Sequence, residues 1–91
     1  MKPRITISTK ANGFFEIFLN ETGRDLLVKQ LNALDRSNDH FHCAPEDFLH
    51  DLAMQDKPYA DDDTINAWGK VLFRPDDWDA EYFPHVLDPE S

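Results

Sequence analysis

The N-terminal part of the chain alternates between apolar and polar residues with the period of two that is typical of a β-strand. Residues 4–8 place Ile5 and Ile7 on one face and polar side chains on the other, which predicts a half-buried strand. Residues 14–19 predict a second strand. The Asn12-Gly13 pair between them accepts positive φ at little cost and so favours a tight reversal. These segments together predict an antiparallel hairpin.

The second predicted strand carries apolar side chains on both of its faces. Phe15, Ile17 and Leu19 share one face, whereas Phe14 and Phe18 lie on the other. Since two aromatic rings rarely face water together, we expect that second face to be covered in part as well.

Residues 20–36 have the spacing of an amphipathic helix. Asn20 is a residue type that caps a helix N-terminus through its side chain. Leucines recur at helical intervals and form an apolar stripe that comprises Leu27, Leu31 and Leu34. The pattern predicts one long helix that runs to about Arg36.

The second half of the chain predicts shorter elements. Proline suits the first turn of a helix, and the leucines that follow Pro45 have helical spacing. In chain order we expect a turn at 37–39, a strand at 40–43, a short helix at 45–54, a loop at 55–63, a long strand at 64–74, a helical turn at 76–82 and a loose tail at 84–91.

These elements predict an α+β fold. A small antiparallel sheet of about four strands would carry one long helix packed on one face, with a second short helix beside it. The length of 91 residues allows one domain. We expect residues 1–75 to form that single α+β domain and residues 76–91 to form an acidic, aromatic-containing C-terminal extension.

The charge of the chain is concentrated at its C-terminal end. Eighteen Asp and Glu stand against nine Lys and Arg, a net charge of −9, and residues 56–91 hold ten of the acids with three bases. Such a surface repels phosphate backbones and anionic lipid, so we expect neither a nucleic-acid nor a membrane partner. It favours a basic protein partner. The expected contact residues are Asp61, Asp62, Asp63, Asp76, Asp77, Trp78 and Tyr82.

The aromatic residues among these acids allow two interpretations. In the first, Trp68 belongs to the core and the C-terminal aromatics hold the tail against the sheet. In the second, some of them are exposed anchors of a protein interface, where Trp and Tyr are over-represented.

Cysteine usage and hydropathy indicate a cytoplasmic protein. Cys43 is the single cysteine, so no intramolecular disulfide can form. No apolar run has the length of a signal peptide or a transmembrane helix. We therefore expect a reducing, cytoplasmic environment.

Two features bear on chemistry. On a strand, His40 and His42 point to the same face, so a metal site is an alternative, although two ligands do not complete one. Cys43 lies on the opposite face from His42, and the only support for a nucleophilic thiol is a helix that would begin near Pro45. We expect no cofactor and no catalytic residues.

The middle of the chain resembles immunity protein family 32 of bacterial polymorphic-toxin systems. The residues that carry the resemblance are Asn20-Glu21-Thr22-Gly23 at the helix start, the leucines Leu26, Leu27, Leu31 and Leu34, and His40-Phe41-His42, with Ile65 to Phe73 as the last strand. It covers about residues 4–74. The resemblance implies a cytoplasmic antidote that binds and blocks a cognate toxin, often a nuclease and usually basic.

Three functions follow from these observations. The first is a non-enzymatic protein-binding module, most concretely an acidic immunity protein that neutralises a basic toxin by occlusion. The second is a metal-binding protein built on His40 and His42. The third is a homodimeric structural or regulatory module, joined through an exposed strand edge or through the face that carries Phe14 and Phe18.

Overall fold

Two three-stranded β-sheets and two α-helices make up the part of the chain that the computed structural model describes, residues 2–87. In chain order the elements are β1 (Ile5–Thr9), β2 (Phe15–Leu19), α1 (Glu21–Asn32), β3 (His40–Pro45), β4 (Leu52–Met54), β5 (Thr64–Ile65), β6 (Gly69–Leu72) and α2 (Asp76–Tyr82), followed by a 3-10 turn at Pro84–Val86. The first sheet has the order β2-β1-β5 and the second β4-β3-β6. The α+β class is confirmed, but the single sheet of about four strands under one long helix is wrong.

The N-terminal hairpin is the one the sequence predicts. β1 and β2 pair antiparallel, with Ile7 opposite Ile17. Lys10 N–H donates to the Phe14 carbonyl at 2.7 Å, which closes the turn. Gly13 has a φ of 88°, a left-handed conformation that favours glycine at this position.

β1 is buried on both faces, so the expectation of a half-buried strand is wrong. Thr6 and Ser8 are 2% and 0% exposed. The loop at 55–63 lies over this second face, where the Tyr59 ring stacks on Phe18 with centroids 3.9 Å apart. The expected covering of Phe18 is thereby confirmed, whereas Phe14 is 61% exposed.

α1 begins at the predicted cap and ends earlier than predicted. The Asn20 side-chain oxygen accepts hydrogen bonds from Gly23 N–H at 2.7 Å and from Arg4 N–H at 2.9 Å, which ties the helix start to β1. The helix ends at Asn32 instead of Arg36. The Asp35 carboxylate accepts the backbone N–H groups of residues 37 and 38, which stabilises a turn in place of another helical turn.

The short helix expected at 45–54 is absent from the described structure. Pro45 ends β3, and Leu52–Met54 forms β4, which pairs parallel to β3 with Cys43 opposite Leu52. Leu52 and Met54 are each 2% exposed, and burial of every second residue is typical of a strand. Residues 46–51, the return loop, bring the chain back alongside β3, so these six residues have no room for a helix.

The long strand expected at 64–74 is two strands in different sheets. β5 pairs with β1, and β6 pairs with β3. The chain crosses from one sheet to the other between Ile65 and Gly69, and Ala67 is buried at the crossing. Gly69 therefore begins a strand of the second sheet.

The core is small for the length of the chain. It centres on Ile5, Phe41, Leu52, Met54 and Ala67. Leu26 and Leu27 of α1, and Leu34 just after the helix, are half-buried against this core. Leu31, expected in the apolar stripe, is 45% exposed. The radius of gyration is 15.4 Å, whereas a compact chain of this length has about 12 Å. Much apolar surface therefore remains open to solvent.

The C-terminal segment continues the structure as far as residue 87. α2 confirms the predicted helical turn, and Pro84–Val86 adds a 3-10 turn within the expected loose tail. The remainder of that tail, residues 88–91, lies outside the described residues.

Candidate protein-binding surfaces

The three consecutive aspartates at 61–63 differ in their surroundings. Asp61 and Asp62 are exposed, and neither forms an ion pair within the described chain. The Asp63 side chain is 1% exposed, and its Oδ1 accepts a hydrogen bond from Lys10 Nζ at 3.0 Å. This bond, with a second one that Lys10 donates to the carboxylate of Glu16, raises the pKa of Lys10. Asp61 and Asp62 are thus free to face a partner, whereas Asp63 holds the loop against the hairpin.

The α2 acids are partly neutralised by arginines. Arg36 donates two hydrogen bonds of 2.9 Å to the carboxylate of Asp77. These bonds hold the pKa of Asp77 below its ordinary value. Arg74 donates to Asp79 Oδ1 at 2.7 and 2.9 Å. Because Arg36 precedes β3 and Arg74 follows β6, these four hydrogen bonds hold α2 close to the second sheet.

Trp78 lies between the same two guanidinium groups. The Cζ atoms of Arg36 and Arg74 are 5.9 and 5.8 Å from its ring centre, within the range of a cation–π contact. Trp78 is half-buried. Of the other predicted contact residues on α2, Asp76 is exposed and Tyr82 is 67% exposed. The structure therefore brings Asp76, Asp77, Trp78 and Tyr82 together on one short helix, with part of it occupied by internal contacts.

A cleft of about 420 Å³ opens beside the second sheet, where the return loop meets the start of β6. We name it the Trp68 cleft. Its lining comes from β3, the return loop and the segment before β6, and consists of His42, Cys43, Ala44, Leu49, His50, Asp51, Trp68 and Gly69.

The rim of the Trp68 cleft is an exposed apolar cluster. Trp68 is 63% exposed, Phe48 is 54% exposed and Leu49 is 98% exposed. The Phe48 and Trp68 rings lie 4.7 Å apart, so they hold each other in place. The tight return of the chain between β3 and β4 turns Phe48 and Leu49 outward. The interpretation of Trp68 as a core residue is therefore wrong.

Polar groups at the Trp68 cleft are fixed by the backbone of β3. The Asp51 carboxylate accepts the His42 N–H at 2.8 Å, and the Asp51 N–H donates to the His42 carbonyl at 3.0 Å. The first of these bonds is the main cause that lowers the pKa of Asp51, so the half-exposed carboxylate is anionic at neutral pH. The Nδ1 atom of His50 is buried and has no hydrogen-bond partner within the described residues.

The thiol in the cleft is not activated. Cys43 is half-buried, and burial raises its pKa, with the charge of Asp51 acting in the same direction. The thiol is therefore protonated at neutral pH, whereas a nucleophilic cysteine needs the thiolate. The helix expected to begin near Pro45, which was the one feature in favour of a thiolate, is not formed.

The histidine pair lies on one face of β3, as strand alternation predicts. The His40 and His42 rings are 4.9 Å apart and perpendicular. Each is directed to a carboxylate: His40 Nδ1 lies 2.8 Å from Asp39, and His42 Nδ1 lies 3.5 Å from Asp51. Among residues 2–87, no three His, Cys, Asp or Glu side chains are arranged to hold a metal ion.

The sequence pattern did not predict a functional role for the rim residues Phe48 and Leu49 or for the carboxylate of Asp51. The helical spacing of Phe48, Leu49 and Leu52 predicted a short helix there and so gave no indication of an exposed loop. A signal was nevertheless present: six residues separate Pro45 from Leu52, and polar residues interrupt the stripe.

Comparisons with known protein families, with curated proteins and with solved structures found no match. Within the described residues, neither helix has both the length and the apolar character that crossing a bilayer requires.

Proposed function

We propose that this chain is a non-enzymatic protein-binding module that neutralises a basic toxin domain in the cytoplasm by covering its working surface. The observation that carries the proposal is the Trp68 cleft, a concave site with a preformed aromatic rim in a strongly acidic protein. The resemblance to immunity protein family 32 supports the same function.

The rim of the Trp68 cleft has the composition of an interface hot spot. Hot spots are rich in Trp, and truncating one to alanine costs about 2 kcal/mol or more in binding. Phe48 and Trp68 already touch in the free protein, so little side-chain freedom is lost when a partner covers them. We therefore expect the contacts of this rim to slow dissociation of the complex.

The chemistry of the cleft favours a basic side chain of the partner. The anionic carboxylate of Asp51 and the exposed ring of Trp68 both line the cleft. An arginine that enters the cleft would meet both the carboxylate and the π-face of the indole.

The exposed aspartates contribute chiefly to the rate of encounter. Asp61, Asp62 and Asp76 are exposed, and within residues 2–87 none of them is held in an ion pair. Complementary charge raises association rates, and the effect falls with ionic strength. Asp77 and Trp78 already contact arginines within the chain, so their role is to hold α2 in place. Tyr82 adds an exposed aromatic ring.

The test pairs this chain with a candidate toxin domain, taken from the C-terminal end of any large secreted protein that a neighbouring gene encodes. We expect the purified domain to bind this chain, with an association rate that falls as salt rises. Neutralising Asp61 and Asp62 together to asparagine should slow association and flatten its dependence on salt. A matched variant that changes Glu21 to Gln and Asp25 to Asn alters the net charge equally on α1 and should have a smaller effect.

A complex whose association rate does not depend on salt would contradict steering by Asp61 and Asp62. Failure of the chain to rescue growth when it is co-expressed with that toxic domain would contradict neutralisation itself. A toxic domain that is acidic at neutral pH would contradict the expected charge of the partner.

A further inference from the structure

The free edge of the first sheet exposes unpaired backbone groups of β2. In an antiparallel pair, residues alternate between those bonded to the neighbouring strand and those directed away from it. Asn20 N–H donates to Arg4 and Lys10 N–H donates to Phe14, so the bonded positions on β2 are the even-numbered ones. The N–H and C=O groups of Phe15, Ile17 and Leu19 therefore point away from β1, toward the outer side of β2.

The side chains of the same three residues form an exposed apolar row. Phe15, Ile17 and Leu19 are 62%, 48% and 40% exposed. They share a sheet face with Ile5, which lies opposite Leu19 and is 1% exposed. The apolar face that is buried at β1 is therefore left open at β2.

The other sheet edges among residues 2–87 are shorter than β2, and one of them carries a lysine. β4 has three residues, β5 has two, and β6 includes Lys70. Short strands and lysines are the devices by which proteins prevent edge-to-edge pairing. β2 has five residues without lysine or proline, so it lacks both devices.

We propose that β2 is a dimer interface, at which two copies of this chain pair antiparallel around a twofold axis through Ile17. In this register Phe15 of one copy faces Leu19 of the other, and Ile17 faces its own equivalent. The outward N–H and C=O groups of all three residues are then paired, and the two first sheets join into one. The inference does not depend on the proposed function.

A groove beside β2 fits the second copy. It is lined by Ile17 and Leu19 of the strand and by Asn20, Glu21 and Arg24 from the start of α1. Phe15 of the second copy lies next to Leu19 in the proposed register. Its ring therefore enters this groove and covers apolar surface that is exposed in the single chain.

Local charge favours a second copy over a basic partner at this edge. Glu16 is the only charged residue of β2, and Lys10 lies 3.2 Å from its carboxylate. The strand therefore has little net charge to attract a basic protein. In the proposed register Glu16 faces Phe18 of the second copy and not another Glu16, so the paired strands set no like charges opposite each other.

Sedimentation equilibrium of the full chain tests the interface. We expect the wild type to have twice the 10.6 kDa mass of one chain at high micromolar concentration. Ile17→Lys should sediment as a monomer, because it places two positive charges against each other on the axis. Val28→Lys is the matched control, since Val28 of α1 is also 48% exposed, and it should remain dimeric. A monomeric wild type, or a dimer that Ile17→Lys leaves intact, overturns the proposal.

A cross-link tests the register without relying on a charged variant. Directly bonded residues of antiparallel strands have Cα atoms about 5.5 Å apart, which lies in the range that a disulfide spans. Ile17→Cys in a Cys43→Ser background should therefore form a covalent dimer on oxidation. Glu16→Cys in the same background should not, because residue 16 faces residue 18 of the other copy. Equal cross-linking of the two variants would overturn the register.

Discussion

The two tryptophans of this protein lie in similar acidic surroundings in the sequence and in different surroundings in the fold. Trp78 is half-buried between the guanidinium groups of Arg36 and Arg74. Trp68 is 63% exposed and touches Phe48 at the rim of an open cleft. The difference teaches that Trp78 serves the fold by holding α2, whereas the exposed ring of Trp68 is open to the partner that we propose.

The largest expected effect is on binding of the proposed toxin domain. Trp68→Ala removes the centre of the aromatic rim and should weaken the complex by about 2 kcal/mol or more, roughly 30-fold in Kd. Trp78→Ala should weaken it much less, because that ring is already engaged within the chain. Titration calorimetry of the two variants against wild type provides the measurement.

The reverse order of these two variants would contradict the assigned roles. Circular dichroism of the Trp68→Ala variant serves as the control. Its folded signal should match that of wild type, since a mostly exposed ring contributes little to the core.

A smaller effect should appear in the fluorescence of the free protein. In the variant Trp78→Phe the remaining Trp68 should be quenched readily by acrylamide, because its ring faces solvent. In the variant Trp68→Phe the remaining Trp78 should be quenched less, because two arginines cover it. Equal quenching of the two single-tryptophan variants would remove the structural basis of the comparison.

The smallest expected effect is on the pH at which the contact between Arg36 and Asp77 breaks. The hydrogen bonds from Arg36 lower the pKa of Asp77 below its ordinary value of 3.8. A group whose pKa is lowered by folding stabilises the folded state at pH values above its ordinary pKa. This contribution is lost as the pH falls through the lowered pKa. The Arg36–Asp77 contact should therefore persist through pH 3.8 and break only at lower pH.

Carbon-13 NMR of the Asp77 carboxyl group measures this titration. In Arg36→Gln its midpoint should rise toward the ordinary value, since the donor that favours the anion is gone. An unchanged midpoint in that variant would show that Arg36 does not hold α2 through Asp77.

Signals that act over a few residues predicted their elements correctly. Asn12-Gly13 marks the hairpin turn, and Asn20 marks the start of α1, because both depend on local backbone chemistry. The signal at 45–54 misled, because Phe48, Leu49 and Leu52 fit a helix as well as a loop that leads into a strand. Only the pairing of Leu52–Met54 with β3 decides between them.

The candidate site depended on the same long-range pairing. Trp68 and Phe48 are twenty residues apart and meet because β3 pairs with β4 on one side and with β6 on the other. No periodicity in the sequence reports that meeting. The acidic character of the surface was readable from composition, but the bonds of Asp63 and Asp77 to Lys10 and Arg36 were not.

Hydrogen exchange of the complex with the proposed toxin domain tests the central claim most directly. The account predicts that the partner slows exchange in the return loop, residues 46–51, and in residues 66–70 around Trp68. Protection confined to other segments, with unchanged exchange around the Trp68 cleft, would contradict it.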